Sequence, residues 1–284
     1  MKYILSCLFL ITTCTTFSQP LRFHFSGGFA NYNGDLQPKK FTLNQAKGVV
    51  AAGATFNLSE KFALRSDYSF AKVGADDKLS SNNQARNLNF TSLIQELSLM
   101  GEYDIFSTYE RKLTPYVFAG IGVFRFSPYT KDENGNKVYL QHLRTEGQET
   151  SQYPDRKIYN KVQMNIPFGA GAKYAISDDV HLAFELSFRK LFTDYLDDVS
   201  TSYADENVLT NEVGPKSAQF AFRGDELTHN PRTYPAGGTA RGNPAYKDSY
   251  YFGQVRLSFR MNWFDNNSGY GGRGKNRLGC PTRF

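Results

Sequence analysis

Along residues 253–263 apolar and polar side chains alternate without a break. Gly253, Val255, Leu257, Phe259, Met261 and Trp263 fall on one side; Gln254, Arg256, Ser258, Arg260 and Asn262 fall on the other. A strand sends successive side chains to opposite faces, whereas a helix would mix these two sets around its circumference. The same period of two recurs at Leu182, Phe184, Leu186 and Phe188 against His181, Glu185, Ser187 and Arg189, and at Leu64, Tyr68 and Phe70 against Arg65, Asp67 and Ser69. It recurs again at Leu21, Phe23, Phe25 and Phe29 against Arg22, His24, Ser26 and Gly28, and at Leu97, Leu99 and Tyr103 against Glu96, Ser98 and Glu102. Residues 49–58, 116–126 and 162–174 alternate less cleanly and are rich in Gly and Ala, which suits strong curvature and close strand approach.

The connections between these segments alternate in length. Long links run over residues 33–47, 74–87, 127–160 and 194–247; short ones fall at 59–61, 106–111 and 177–179. Outer-membrane barrels have short periplasmic turns and longer external loops. The reading is therefore an all-β chain: a transmembrane antiparallel up-and-down β-barrel of about eight strands. Both termini are expected in the periplasm and every long loop outside. Residues 218–222 leave the count open, because they could form an extra hairpin inside the last long loop. Tyr103, Phe106, Phe118, Phe124, Phe126, Tyr174, Phe192, Tyr195, Trp263 and Phe264 lie near predicted strand ends, where interfacial aromatic girdles are expected. A soluble β-sandwich with its apolar faces turned inward would produce the same alternation.

The N-terminus supports an envelope location. Lys2 precedes an apolar run from Tyr3 to Ile11, followed by small polar residues to Ser18, which is the layout of a secretory signal. Cleavage after Ser18 divides the chain into a signal peptide (1–18), a barrel (19–264) and a flexible basic periplasmic tail (265–284). Lipid attachment at Cys14 is the alternative, with Thr13 a poor residue before the cysteine. Removal of the signal takes Cys7 and Cys14, so the mature chain keeps only Cys280 and forms no internal disulfide. After Ile11 no apolar run reaches the roughly 18–20 residues of a spanning helix. The charge of +6 is modest and spread along the chain, which argues against a nucleic-acid partner and leaves membrane lipid as the expected surroundings.

The polar face carries Arg22, Arg65, Arg125, Arg189, Arg256 and Arg260 alongside Asp67, Glu96, Glu102 and Glu185. A barrel of about eight strands is just wide enough inside to be filled by side chains, and buried charges need partners. These residues are accordingly expected to form an ion-paired plug rather than to line an open pore. His24 and His181 are expected in the lumen, His142 and His229 in external loops. None has a Ser or Asp at a spacing that suggests nucleophilic chemistry. No catalytic, cofactor-binding or metal residue is therefore assigned. Asp194, Asp197 and Asp198 are three carboxylates in five residues, a candidate cation cluster, although the spacing is not that of an EF-hand loop. In the tail, Arg273, Lys275, Arg277 and Cys280 are the candidate contacts for a periplasmic partner.

A family resemblance enters through longer runs. Thr114-Pro115-Tyr116-Val117-Phe118-Ala119-Gly120-Ile121-Gly122-Val123-Phe124, Arg144-Thr145-Glu146-Gly147-Gln148, Tyr153-Pro154, Ile166-Pro167-Phe168-Gly169 and Phe192-Thr193-Asp194-Tyr195-Leu196-Asp197-Asp198-Val199-Ser200 resemble PorG-like outer-membrane proteins of Bacteroidota. Gly34-Asp35-Leu36 and Gly279-Cys280-Pro281 are similar too. The resemblance implies a non-enzymatic component of the type IX secretion system, associated with a periplasmic ring of the PorK lipoprotein and PorN. An alternative from the same fold is a surface-binding barrel whose long loops recognise a ligand. A third, an envelope hydrolase, requires His142 or His229 beside an acid and a hydroxyl at the rim.

Overall fold

The computed structural model describes residues 21–39, 41–80, 83–107 and 111–260; the signal segment, the tail and its candidate contacts Arg273, Lys275, Arg277 and Cys280 lie outside them. The strands are β1 (Leu21–Asn33), β2 (Lys47–Asn57), β3 (Phe62–Asp76), β4 (Asn89–Asp104), β5 (Leu113–Lys131), β6 (Lys137–Tyr139), β7 (Val162–Ala175), β8 (Val180–Leu191) and β9 (Ser249–Arg260). Eight of them form a ring in the order β4-β3-β2-β1-β9-β8-β7-β5, and the β4–β5 pairing closes it. All pairings are antiparallel. Neighbours in the ring are neighbours in sequence except at the β1–β9 seam, where Arg22 to Asn33 run opposite Arg260 to Ser249. Closure leaves no sheet edge, which is what a barrel requires in a medium without hydrogen-bonding partners.

The pleat sorts the side chains as the alternation predicts. Phe25, Tyr68, Leu97, Ile121, Met164, Phe184 and Val255, from seven different strands, all face outward and are exposed. A continuous apolar exterior of this size is tenable in lipid and not in water. Inside, Arg65, Glu96, Glu102, Arg189 and Arg256 are buried. The sandwich alternative therefore falls: the apolar faces point away from the interior, and the sheet has no second layer.

The two ends differ. Turns at residues 58–61, 105–112 and 176–179 close one end; the links 34–46, 77–88, 132–161 and 192–248 crowd the other. β5 has 19 residues, well beyond the about 9–11 needed to cross a bilayer, so the wall rises past the apolar belt at the long-loop end. There β6 pairs with residues 129–131 of β5. Residues 218–222 do not add a hairpin. Residues 218–221 belong to a helix, Pro215–Ala221, which Pro215 starts at a position where its missing N–H costs nothing, and Phe222 follows it in extended backbone.

A second correction concerns the aromatics. Tyr103, Tyr174 and Phe192 are outward and exposed, as a girdle requires, but Phe118, Phe124 and Phe126 are buried in the lumen. Phe124 and Phe126 pack with Tyr32, Phe90, Tyr159, Tyr250, Phe252 and Leu196 into an apolar core that continues from the upper lumen into the long loops. Tyr195 stacks on Tyr159 at 4.9 Å in this core rather than at a membrane interface. The bore thus has two layers, charged toward the short-turn end and aromatic toward the long-loop end.

Candidate functional site

The charged layer is centred on Arg65 of β3. Its Nη1 donates to Glu185 Oε2 at 2.7 Å and Glu102 Oε2 at 3.1 Å, and Nη2 donates to Glu185 Oε1 at 3.0 Å. Its Nε lies 3.2 Å from Asp67 Oδ2, and the guanidinium sits over the Phe118 ring at 4.5 Å. Arg256 donates to Glu102 at 3.0 Å, and Tyr116 donates its hydroxyl proton to Glu185 at 2.9 Å. His24 Nε2 meets Asp67 Oδ1 at 2.5 Å. One step toward the long-loop end, Glu96 pairs with Arg189 at 3.3 Å and accepts from Asn165 and Tyr250 at 2.8 and 2.5 Å. At the short-turn mouth Arg260 faces Asp179 at 3.5 Å, beside a cavity of about 470 Å³ lined by Arg22, Lys173, His181 and Arg256.

Of the nine residues expected in the lumen network, Arg65, Asp67, Glu96, Glu102, Glu185, Arg189, Arg256 and Arg260 point inward and are ion-paired. Arg125 does not. It is exposed on the outer face, because the inward positions of β5 are taken by Phe124 and Phe126. Missing from the expected set is Lys173, which bonds Glu102 at 2.6 Å and Asp104 at 2.9 Å. Its parity was readable: it lies on the face of β7 that also carries Gly169 and Gly171. A Cβ on Gly171 would stand 2.6 Å from the Tyr116 ring, and one on Gly169 2.6 Å from the Phe118 ring. These glycines leave room for the two aromatics that brace the network.

At the opposite end the long loops fold into a cap. Glu146, fully buried, accepts from the backbone N–H groups of Ser200 and Thr201 at 2.8 and 3.1 Å, from the Thr201 hydroxyl at 2.6 Å and from Arg241 at 3.1 Å. Asp198 accepts from Thr145 at 2.6 Å and Tyr159 at 2.7 Å. Tyr32 of β1 reaches Asp197 at 2.5 Å and Asp248 at 2.9 Å, and Arg86 holds Asp77 through two bonds of 2.7 and 2.8 Å while donating to the Arg241 carbonyl. Both motifs singled out in the long loops, residues 145–148 and 193–200, therefore meet in one polar core beneath the cap surface.

Burial sets the ionisation of this core. The Asp194 carboxyl is pushed up to about 7 and Asp198 to about 6, in each case chiefly by removal from water. Asp197 and Asp248 are raised in the same direction, chiefly by burial and, for Asp248, also by the charge of Asp197. The three carboxylates Asp194, Asp197 and Asp198 do not converge. Asp197 turns to Tyr32, Asp198 to Thr145 and Tyr159, Asp194 to Ser200. Among the described residues no group of three or more His, Cys, Asp or Glu is arranged to hold a metal ion. His24 and His181 lie in the lumen as expected, and His142 and His229 lie in the long loops; among the described residues none of the four is hydrogen-bonded to a Ser hydroxyl.

A closed antiparallel ring, apolar outside and ion-paired inside, places the chain among transmembrane β-barrels. It belongs to the family described as Domain of unknown function (DUF6089), whose model matches residues 2–235. No curated protein matches the sequence. Among solved structures, Neisserial surface protein A is 8% identical over 85% of this chain and 97% of its own, with a TM-score of 0.42. A major outer membrane protein from Thermus thermophilus is 14% identical over 85% and 99%, with a TM-score of 0.40. The attachment invasion locus protein Ail of Yersinia pestis is 6% identical over 86% and 99%, with a TM-score of 0.41.

Proposed function

We propose that the protein is a non-enzymatic outer-membrane barrel that serves as a structural or assembly component of the type IX secretion system. In this reading the short-turn end and both termini face the periplasm, where the basic tail meets ring proteins of the PorK and PorN type. The observation that carries it is the filling of the bore: Arg65, Glu102, Glu185 and Arg256 interlock across it, and the loops seal the other end. A barrel so filled is suited to anchoring rather than to passing cargo. The resemblance to PorG-like proteins adds the context, and its two loop motifs are the residues that hold the cap together.

The cap also supports a second reading. Because its loops are fixed by buried bonds, they present a set surface on which a ligand could be recognised. Crosslinking and affinity purification from native outer membranes separate the two, comparing the full chain with one ending at Asn266. Recovery of ring lipoprotein that depends on the tail supports the assembly role. An intact barrel that recovers no periplasmic partner in either form favours surface recognition.

A further inference from the structure

The outward Arg125 belongs to a cleft on the outer wall that the lumen and cap do not use. The cleft encloses about 290 Å³ and is lined by Lys72 of β3, Leu93 and Gln95 of β4, Arg125 and Tyr129 of β5, and Lys137 of β6. Gln95 stands directly opposite Arg125, and Lys72 opposite Leu93, so the cations of β3 and β5 flank β4 on one face. Lys137 reaches over from the β6 hairpin, its ammonium 5.0 Å above the Tyr129 ring. Among the described residues none of the three has a carboxylate within salt-bridge distance. Inside the lumen the charges are closely paired; on this outer face three cations gather in one cleft, where together they offer a site for an anion.

Position identifies the anion. The outward aromatic pair Phe62 and Tyr103, with rings 4.8 Å apart, marks the short-turn edge of the apolar belt. From Tyr103 to Leu93 the chain climbs about 34 Å along β4 at strand rise, or about 26 Å along the membrane normal at a tilt of about 40°. That is the height of the apolar band of such barrels, about 25 Å. Lys72 therefore sits at its upper boundary, and Lys137, whose backbone pairs with Lys131 beyond Arg125, reaches the same cleft from above it. Arg125 lies just beneath, where a long apolar stem lets the guanidinium rise to the headgroups. Lipid phosphates occupy this level, and a guanidinium fork with flanking ammonium groups is the chemistry that binds them.

We infer that Lys72, Arg125 and Lys137 form a site for the phosphate of a lipid headgroup in the outer leaflet. The inference rests on the long-loop end facing outward and not on any role in secretion. It is tested on the purified full-length barrel in nanodiscs, using bis-phosphorylated lipid A and its enzymatically dephosphorylated form as probes and native mass spectrometry to count retained lipid. The wild type should retain the phosphorylated form at least about tenfold better. The variant carrying Lys72→Gln, Arg125→Gln and Lys137→Gln should lose that preference while keeping its folded migration on unheated gels. Equal retention of both probes by the wild type, a comparison that needs no variant, would overturn the site. So would an unaltered preference in the folded variant. Displacement of lipid by equimolar inorganic pyrophosphate would make it a site for soluble phosphate and overturn the lipid assignment. Loss of tail-dependent ring recovery leaves this inference standing, because the nanodisc contains no partner protein.

Discussion

Arg65 and Glu185 form a two-bond pair, 2.7 and 3.0 Å, between β3 and β8, strands that stand opposite one another in the eight-stranded ring. A pair so placed is a strut across the full diameter of the bore. Its members are buried, so each depends on the other to offset the loss of water.

Truncating one end of the strut should be costly. Arg65→Ala leaves Glu102 and Glu185 short of a cation and should destabilise the barrel by about 3–5 kcal/mol. Urea titration in detergent micelles, read by tryptophan or far-ultraviolet signal, measures it. A midpoint within error of the wild type would show that the network contributes no stability.

The outer belt should respond by depth. Leu97→Arg and Phe184→Arg place a charge on exposed lipid-facing positions near mid-belt, and each should cost about 2–4 kcal/mol in a bilayer. Arg125→Leu, at the rim, should change stability by less than about 1 kcal/mol. Refolding yields into vesicles across a urea series give the comparison, and equal costs at both depths would contradict the placement of the belt.

Glu146→Gln tests the cap without touching the wall. The amide replaces an acceptor that serves Ser200, Thr201 and Arg241 and leaves Arg241 only the more distant carboxylate of Asp198, 3.9 Å away, at a cost of about 2 kcal/mol or more. Limited proteolysis should then nick residues 194–247 while the barrel core stays resistant. Wild-type resistance in that loop would remove Glu146 as the cap's organiser.

Cap stability should also fall with rising pH. Asp194 is raised to about 7 and Asp198 to about 6 by burial, whereas an unfolded Asp titrates near about 3.9. The closed cap therefore binds protons that the opened loops release, and stability declines from about pH 4 until about pH 7. Hydrogen exchange of peptides covering 193–203 should be faster at pH 8 than at pH 5.5 after correction for intrinsic rates. Asp194→Asn should flatten the difference, and an opposite slope would refute the assignment.

The barrel was legible where charge and hydrophobicity disagree along a strand. In β9, Arg256 against Leu257 leaves only one face for each. In β5 both faces are apolar: Phe118, Phe124 and Phe126 inside, Val117, Ile121 and Val123 outside. Hydropathy there has no sign to read, and the rule that charge points inward misplaces Arg125, because at the rim a charge can reach headgroups. Lys173 shares its face of β7 with Gly169 and Gly171, so its parity could be read there but no side chain beside it marked the face as polar. The cap was not legible at all. Thr145 meets Asp198 and Arg86 meets Arg241 across long stretches of chain, and no local pattern encodes such meetings.

The cap draws on every long link, yet its central acceptor, Glu146, is satisfied by Ser200, Thr201 and Arg241, all in the final link before β9. Strand β9 is also the one that seals the ring against β1. Sealing the wall and locking the lid are thus reserved for the same last stretch of polypeptide. A chain lacking that stretch in place would show both an unzipped seam and a loose lid, so the wall and its cover are completed together.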